Sequence, residues 1–339
     1  MASPWSTWRP TTSWTTAGSC SGASKICSTN ATRRCWATAE PNAESISARV
    51  TGFKGLAVID CGRWWRPLAL VLGLSPLAAL ALPRAASLTP CADQYLLGLA
   101  DPSQIVAVSN YATDPGQSLF AAEARRYPST RGGGEELVAL RVEVVLTDRW
   151  MPLPVTERLE RFGIRVVQIP LPETWDDIAA TTRAIAAELE RPEQGAARVA
   201  DMRARLVRLA ARREAAGQAP LAAYFLPDGG SAGSGTFIDA VLRAAGARNL
   251  AATLGRNGWG TFNLEQLTLA APDVVVTGFF DQGGDTLRMA FARHPVFQRL
   301  LAGVPTIAVP DRYWICSGWF LAEAAEYIAE RLPAAAGGL

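Results

Sequence analysis

The sequence is poor in the residue types that build metal centres and proton relays. A single histidine, His294, occurs in 339 residues, so sites that need several imidazole ligands are excluded. None of the six cysteines forms a C-x-x-C pair, which excludes zinc-ribbon and thioredoxin-like redox motifs. We therefore expect no protein-held metal ion and no intrinsic cofactor.

The sequence also lacks an excess of charge of either sign. The 33 lysines and arginines are offset by 31 aspartates and glutamates, which leaves a formal net charge of +2. Lysine occurs only at Lys25 and Lys54, so the later cations of the chain are arginines. This balance favours neither nucleic-acid binding nor an acidic substrate, and we expect no nucleic-acid partner.

The N-terminal region lacks the periodicity of a folded domain. Residues 1–62 are rich in Ser, Thr, Trp and Cys without a helical or strand period, which indicates a disordered leader or a translation start placed too early. Arg63 and Arg66 then precede an apolar run over 67–82 that contains an A-x-A site ending at Ala81. This pattern predicts a secretory signal peptide over 63–81 and an exported protein. An uncleaved anchor is the alternative, although the run is shorter than the roughly 20 residues of a spanning helix.

Short strands alternate with helices in two blocks, 83–192 and 220–333, on either side of one polar helical run. That run, 193–217, carries Val199, Met202, Leu206 and Leu209 on one helix face. The alternation predicts two α/β lobes with doubly wound parallel sheets, joined by one long rigid helix with a ligand cleft between the lobes. An ordinary surface helix within a single α/β domain is the alternative interpretation of 193–217.

An internal repeat supports the two-lobe interpretation. Residues 135–147 read EELVALRVEVVLT and residues 265–277 read EQLTLAAPDVVVT. Each copy has a glutamate at a helix start, Glu135 or Glu265, followed by an apolar helix and a buried strand. Two such units in register, one in each block, indicate two similar lobes. The glutamates would in any case complement their helix dipoles.

Aromatic and arginine side chains gather in loops and directly after strands. Ligands of parallel sheets bind outside the carboxyl ends of the strands, so rings in these positions favour a pocket over a strand core. Such a pocket suits a large, partly planar and partly anionic ligand, and packing between the lobes is the alternative use of the rings. The candidate ligand-binding residues are Tyr111, Arg149, Trp150, Trp259, Phe279, Arg312, Trp314 and Trp319.

Two further features allow chemistry of other kinds. Ser231 lies in a G-x-S-x-G motif that would suit an exported α/β hydrolase, with Asp281 and His294 as partners in the chain order Ser, Asp, His. More loop follows the motif where a helix should begin, which favours a flexible ligand-facing turn. Cys91 and Cys316 could form a disulfide, give a thiolate to a metal, or remain buried thiols, and we favour thiols because a bond across the cleft would restrict its opening.

Several stretches together resemble one family of transport proteins. The chain resembles the class III periplasmic substrate-binding proteins, and most closely their Fe/vitamin B12 group, which serves ABC importers of cobalamin, ferric siderophores and haem. The resemblance spans about residues 83–333, and none of its motifs is catalytic. The stretches that carry it are RAASLTPCADQYLLGLADPSQIVAVS, EELVALRVEVVLT, GTFIDAVLRAAGARNL, NLEQLTLAAPDVVV and IAVPDRYWICSGW.

The resemblance implies a binding protein without enzymatic activity. Its cleft would take cobalamin or a ferric siderophore, and its partner would be the permease dimer of an ABC importer. Glu135 and Glu265 would dock the lobes onto the two permease subunits. Trp259, with Tyr111 and Trp150, would contact a corrin, and Arg149 and Arg312 would contact an anionic chelate. We expect the protein to act as a monomer.

Overall fold

The computed structural model describes residues 81–215, 217–261, 270–280 and 291–333. The leader, nearly all of the signal segment and Glu265 lie outside these ranges. None of the described helices is both long enough and apolar enough to cross a bilayer.

The first lobe is built on a parallel sheet whose strand order in the described part is β3-β2-β1-β4-β5. Thr89 caps the first helix by accepting a hydrogen bond from Ala92 N–H, and Pro90 occupies the first helical turn, where its missing donor costs nothing. The elements are β1 (Ala85–Ser87), α1 (Pro90–Leu99), β2 (Ile105–Ser109), α2 (Ala121–Ala124), β3 (Ser129–Thr130), α3 (Gly134–Ala139), β4 (Val144–Asp148), α4 (Leu153–Arg161), β5 (Arg165–Ile169) and α5 (Trp175–Glu188).

The second lobe has its own parallel sheet, with described strands in the order β11-β10-β6-β8, and an antiparallel ribbon made by β7 and β9. Its described elements are β6 (Leu221–Phe225), β7 (Gly230–Ala232), α7 (Phe237–Ala245), β8 (Arg248–Asn249), α8 (Leu250–Thr253), β9 (Trp259–Thr261), β10 (Val274–Thr277), α9 (Pro295–Gly303), β11 (Thr306–Ala308), a 3-10 turn (Asp311–Tyr313) and α10 (Leu321–Ala329).

One long helix, α6 (Pro192–Ala215), connects the two lobes. Val199, Met202 and Leu209 are buried on one face of it, as the apolar spacing predicts. The helix packs against α5 of the first lobe and against α7 and α10 of the second. The fold is therefore the predicted pair of parallel-sheet α/β lobes joined by a long helix.

Candidate functional site

The carboxyl ends of the first lobe's strands carry two exposed aromatic rings. Tyr111 follows β2 and is 45% exposed, while Trp150 follows β4 and is 71% exposed. Both strands are parallel members of one sheet, so their carboxyl ends lie at the same edge. The guanidinium carbon of Arg149 lies 5.0 Å from the Trp150 ring centroid, within cation–π distance. This edge therefore offers apolar faces and the positive charge of Arg149 to a ligand.

A buried carboxylate connects the strand ends at that edge. Asp93, fully buried in α1, accepts hydrogen bonds from the Ser109 backbone N–H at 2.9 Å and the Ser109 hydroxyl at 2.6 Å. It also accepts a bond from the Ser87 hydroxyl, so it joins the ends of β1 and β2. Burial raises the pKa of Asp93, and the bonds from Ser109 and Ser87 oppose that shift. The Tyr111 N–H in turn donates to Ser109 Oγ at 3.1 Å.

The second lobe presents Phe279 and Arg312 at the carboxyl ends of β10 and β11. Phe279 has a φ of 63°, a left-handed conformation that costs a non-glycine residue about 1 kcal/mol or more. Its backbone N–H donates to Asp311 Oδ1 at 2.7 Å, which fixes this conformation. The Arg312 guanidinium lies over the Tyr313 ring at 5.2 Å. Phe279 and Arg312 are both half-buried.

Trp259, at the start of β9, is the exposed aromatic ring among the described residues of the second lobe. It is 44% exposed, and its ring centroid lies 5.3 Å from that of buried Phe237. Its indole Nε1–H donates to Glu173 Oε1 of the first lobe at 3.1 Å. The residue thus has one face open to a ligand and its polar edge fixed across the lobe boundary. Sequence reasoning missed Glu173, although it follows β5 and so meets the rule used to select the other candidates.

Two of the predicted ligand-facing rings are buried in protein packing instead. Trp314 is 3% exposed and packs edge-on against Tyr224. Trp319 is 5% exposed and packs edge-on against Tyr95 of the first lobe, with ring centroids 5.2 Å apart. For Trp314 and Trp319 the prediction of ligand contact is wrong in this conformation. Trp319 takes the alternative role, packing between the lobes.

The two cysteines among the described residues form a disulfide. Cys91, at the start of α1, is bonded to Cys316, which follows the 3-10 turn of the second lobe, and their Cα atoms lie 4.8 Å apart. The preference for free thiols is therefore corrected. Nearby, Tyr95 Oη donates to the carbonyl oxygen of Ser317 at 3.0 Å, and Ser317 Oγ donates to the carbonyl oxygen of Pro172 at 2.5 Å. These contacts join the lobes at one place.

The geometry around Ser231 does not suit a hydrolase. Ser231 lies in β7, opposite Gly260 of β9, and is 4% exposed, so it occupies a strand and not a strand-to-helix elbow. Its hydroxyl is buried without a hydrogen-bond partner among the described residues. His294 is exposed, and its Nδ1 accepts the Val296 N–H at the start of α9. Asp281 lies outside the described residues.

The structure describes one of the two carboxylates predicted to dock onto a permease. Glu135 is exposed in the first turn of α3, where a carboxylate is accessible to a partner. Its proposed counterpart Glu265 lies outside the described residues. Within the described ranges, no group of three or more His, Cys, Asp or Glu side chains is placed to hold a metal ion.

Three cavities are formed by described residues away from Tyr111 and Trp150. One of about 360 Å³ lies between α5, α6 and α7 and includes Glu173. Another of about 220 Å³ lies beside the β7–β9 ribbon and includes Trp259. A third of about 400 Å³ lies near the end of α6. Of the exposed rings of Tyr111, Trp150 and Trp259, only that of Trp259 borders one of these three cavities.

Comparison with known proteins connects this architecture to solute capture. A family model described as periplasmic binding protein matches residues 86–304. A cobalamin-binding protein from Halobacterium salinarum is 31% identical over 198 residues, which cover 58% of this chain and 53% of that protein. The chain thus matches about half the length of that relative. A vitamin B12-binding protein from Pectobacterium carotovorum is 27% identical over 268 residues, covering 77% of this chain and 92% of the relative.

Solved structures show the same fold. A periplasmic heme-binding protein from Pseudomonas aeruginosa aligns with a TM-score of 0.59 at 24% identity, covering 74% of this chain and 93% of that one. At this identity the likeness concerns the fold alone.

Proposed function

Since the chain belongs to the periplasmic binding protein family, we propose that it captures a metal chelate, cobalamin or a ferric siderophore, and delivers it to an ABC importer. Its two lobes joined by one long helix are the class III form of that family. The relatives named for cobalamin and vitamin B12 binding favour cobalamin of the two ligands. No bond is made or broken in this function, and capture depends on contacts alone.

The observation that carries the proposal is a set of exposed rings, two at the carboxyl ends of strands in the first lobe and one on the antiparallel ribbon of the second. Tyr111 and Trp150 on the first lobe and Trp259 on the second are 44–71% exposed. Large exposed aromatic side chains at the edge of a parallel sheet are typical of ligand sites. A corrin or a chelate with aromatic groups would cover these rings, and Arg149 and Arg312 would meet its anionic substituents.

Calorimetric titration with cyanocobalamin, haem and several ferric siderophores tests the ligand. We expect saturable binding of cobalamin or of one siderophore with one ligand per chain. Binding of haem alone would contradict the choice of ligand, and binding of none would contradict the proposed function. Size-exclusion chromatography with light scattering on the same samples tests the expected monomer.

Delivery to a permease dimer is tested by charge reversal at the exposed docking carboxylate. Glu135→Arg should abolish or strongly reduce uptake while leaving ligand affinity unchanged, because the side chain lies in the first turn of α3 and contacts solvent. Glu157→Arg, on an exposed position of neighbouring α4, is the matched control. Unchanged uptake in Glu135→Arg would argue against docking through this residue.

Export through the segment 63–81 is also part of the proposal. Mass spectrometry of the protein recovered from the periplasm should find an N-terminus at Leu82, after cleavage at Ala81. Retention of residues 63–81 on the recovered protein would support the uncleaved anchor instead.

A further inference from the structure

Glu173 reaches from the first lobe to the second with both oxygens of its carboxylate. The residue lies between β5 and α5. Oε2 accepts the backbone N–H of Phe237 at 2.8 Å, and Oε1 accepts the indole N–H of Trp259 at 3.1 Å. Both donors belong to the second lobe, so one side chain couples two of its elements to the first lobe.

Each donor depends on Glu173 for a specific reason. Phe237 is the first residue of α7, and the N–H groups of a first helical turn have no acceptor within the helix. Thr236, the cap of this helix, accepts from Asp239 and not from Phe237. The partial positive charge at the helix start also favours a carboxylate there. The indole of Trp259 can only donate, and a charged acceptor makes that hydrogen bond stronger than a neutral one.

We propose that Glu173 is a positioning residue that holds the Trp259 ring in place across the lobe boundary and thereby sets ligand affinity. The carboxylate fixes the polar edge of the indole, while the Phe237 ring packs beside it at 5.3 Å. A ring held before the ligand arrives loses less rotational freedom on binding. The effect on affinity rests on the proposed function, in which Trp259 contacts the ligand.

Other contacts hold the lobes together, so the effect of Glu173 on the Trp259 ring can be distinguished from an effect on overall stability. The Cys91–Cys316 disulfide and the hydrogen bond from Ser317 to Pro172 join the lobes without touching Trp259. Loss of the Glu173 carboxylate should therefore release the ring while these links keep the lobes together.

The positioning of the ring is tested in the ligand-free protein by the indole ¹H–¹⁵N resonance of Trp259, which is identified by its absence in Trp259→Phe. In Glu173→Ala this resonance should move towards that of a solvent-exposed indole and broaden. Glu173→Gln should give a smaller change, because the amide keeps one acceptor oxygen but turns an N–H towards the other donor. Asp176→Asn, which removes an exposed carboxylate from the start of α5, is the matched control. An unchanged Trp259 resonance in Glu173→Ala would overturn the proposal.

The effect on affinity is tested by a double-mutant cycle with cyanocobalamin or whichever chelate the wild-type protein binds. Glu173→Ala should weaken binding about two- to tenfold, as expected when one side chain must be ordered on binding. The same substitution in the Trp259→Phe background should add little further loss, because Glu173 acts through the indole N–H. Additive losses would show a general structural role and overturn the proposal. If the wild-type protein binds no chelate, the proposed function fails, and the resonance of Trp259 still decides whether Glu173 holds the ring.

Discussion

The disulfide between Cys91 and Cys316 should be a major source of stability, because it closes a very long loop. The two residues are 225 positions apart. In the chain-entropy model, cross-linking a loop of this length restricts the unfolded chain by about 5 kcal/mol at 25 °C. Measured losses on removing single native disulfides are about 2–5 kcal/mol. We therefore expect the double variant Cys91→Ser/Cys316→Ser to lose about 3–5 kcal/mol of unfolding free energy, a large share of the total for a typical domain.

Denaturant unfolding with and without a reductant measures this loss. The oxidised wild-type protein should unfold at a higher denaturant concentration than the reduced protein, and the double variant should match the reduced protein in both conditions. In protein that retains the leader, the double variant also controls for Cys20, Cys27, Cys35 and Cys61, since any remaining effect of the reductant on it must come from those cysteines. Equal unfolding free energies for oxidised wild type and double variant would refute the reasoning.

The other predictions concern single side chains. Asp93→Ala should cost about 2–4 kcal/mol of unfolding free energy, because it leaves the buried Ser109 N–H without its acceptor. The pKa of Asp93 in the folded protein is raised above its ordinary value of 3.8. The unfolding free energy should therefore fall as the pH rises from 3.8 through that pKa, because ionisation of Asp93 is less favourable in the folded state than in the unfolded one. Asp93→Asn should remove this part of the pH dependence in acid unfolding experiments. Gly98→Ala should destabilise by about 1–3 kcal/mol in thermal unfolding, because the added methyl group would overlap the Trp319 ring, although helix propensity alone predicts a gain of about 1 kcal/mol. Trp150→Ala should leave the melting temperature unchanged, since the ring is 71% exposed, but should weaken chelate binding about tenfold by calorimetry; a shifted melting temperature with unchanged affinity would contradict its assignment to the site.

The lobes and the connecting helix could be predicted because their signals are local. The valine-rich strand β10 is buried along its whole length, and β4 is buried except at Asp148. The spacing of Val199, Met202 and Leu209 gives one buried helix face. Hydrophobic patterns of this kind can be recognised in the sequence without knowledge of distant contacts. The sheet edge that carries Tyr111 and Trp150 follows from the same pattern, since parallel strands align their carboxyl ends.

The predicted ligand contacts of Trp314 and Trp319 are wrong because the loop after β11 folds back on the protein. Trp314 and Trp319 follow β11, as ligand-facing residues do, but the intervening 3-10 turn returns the chain to the core. Whether a ring after a strand faces solvent or protein depends on packing partners such as Tyr224 and Tyr95, which are remote in sequence. The Cys91–Cys316 disulfide could not be predicted for the same reason, because no spacing rule relates residues on different lobes.

The links between the lobes differ in how they would respond to a relative rotation. Helix α6 and the disulfide are covalent, so they restrict the lobes to rotation about a line through both links. The hydrogen bonds made by Ser317 lie one residue from Cys316 and can persist near that line. The bond from Trp259 to Glu173 joins β9 to the segment before α5, where the neighbouring Pro172 carbonyl accepts the Ser317 hydroxyl. It is a non-covalent bond, so a rotation of the lobes that moves β9 away from this segment should break it, and the Trp259 indole should report that change.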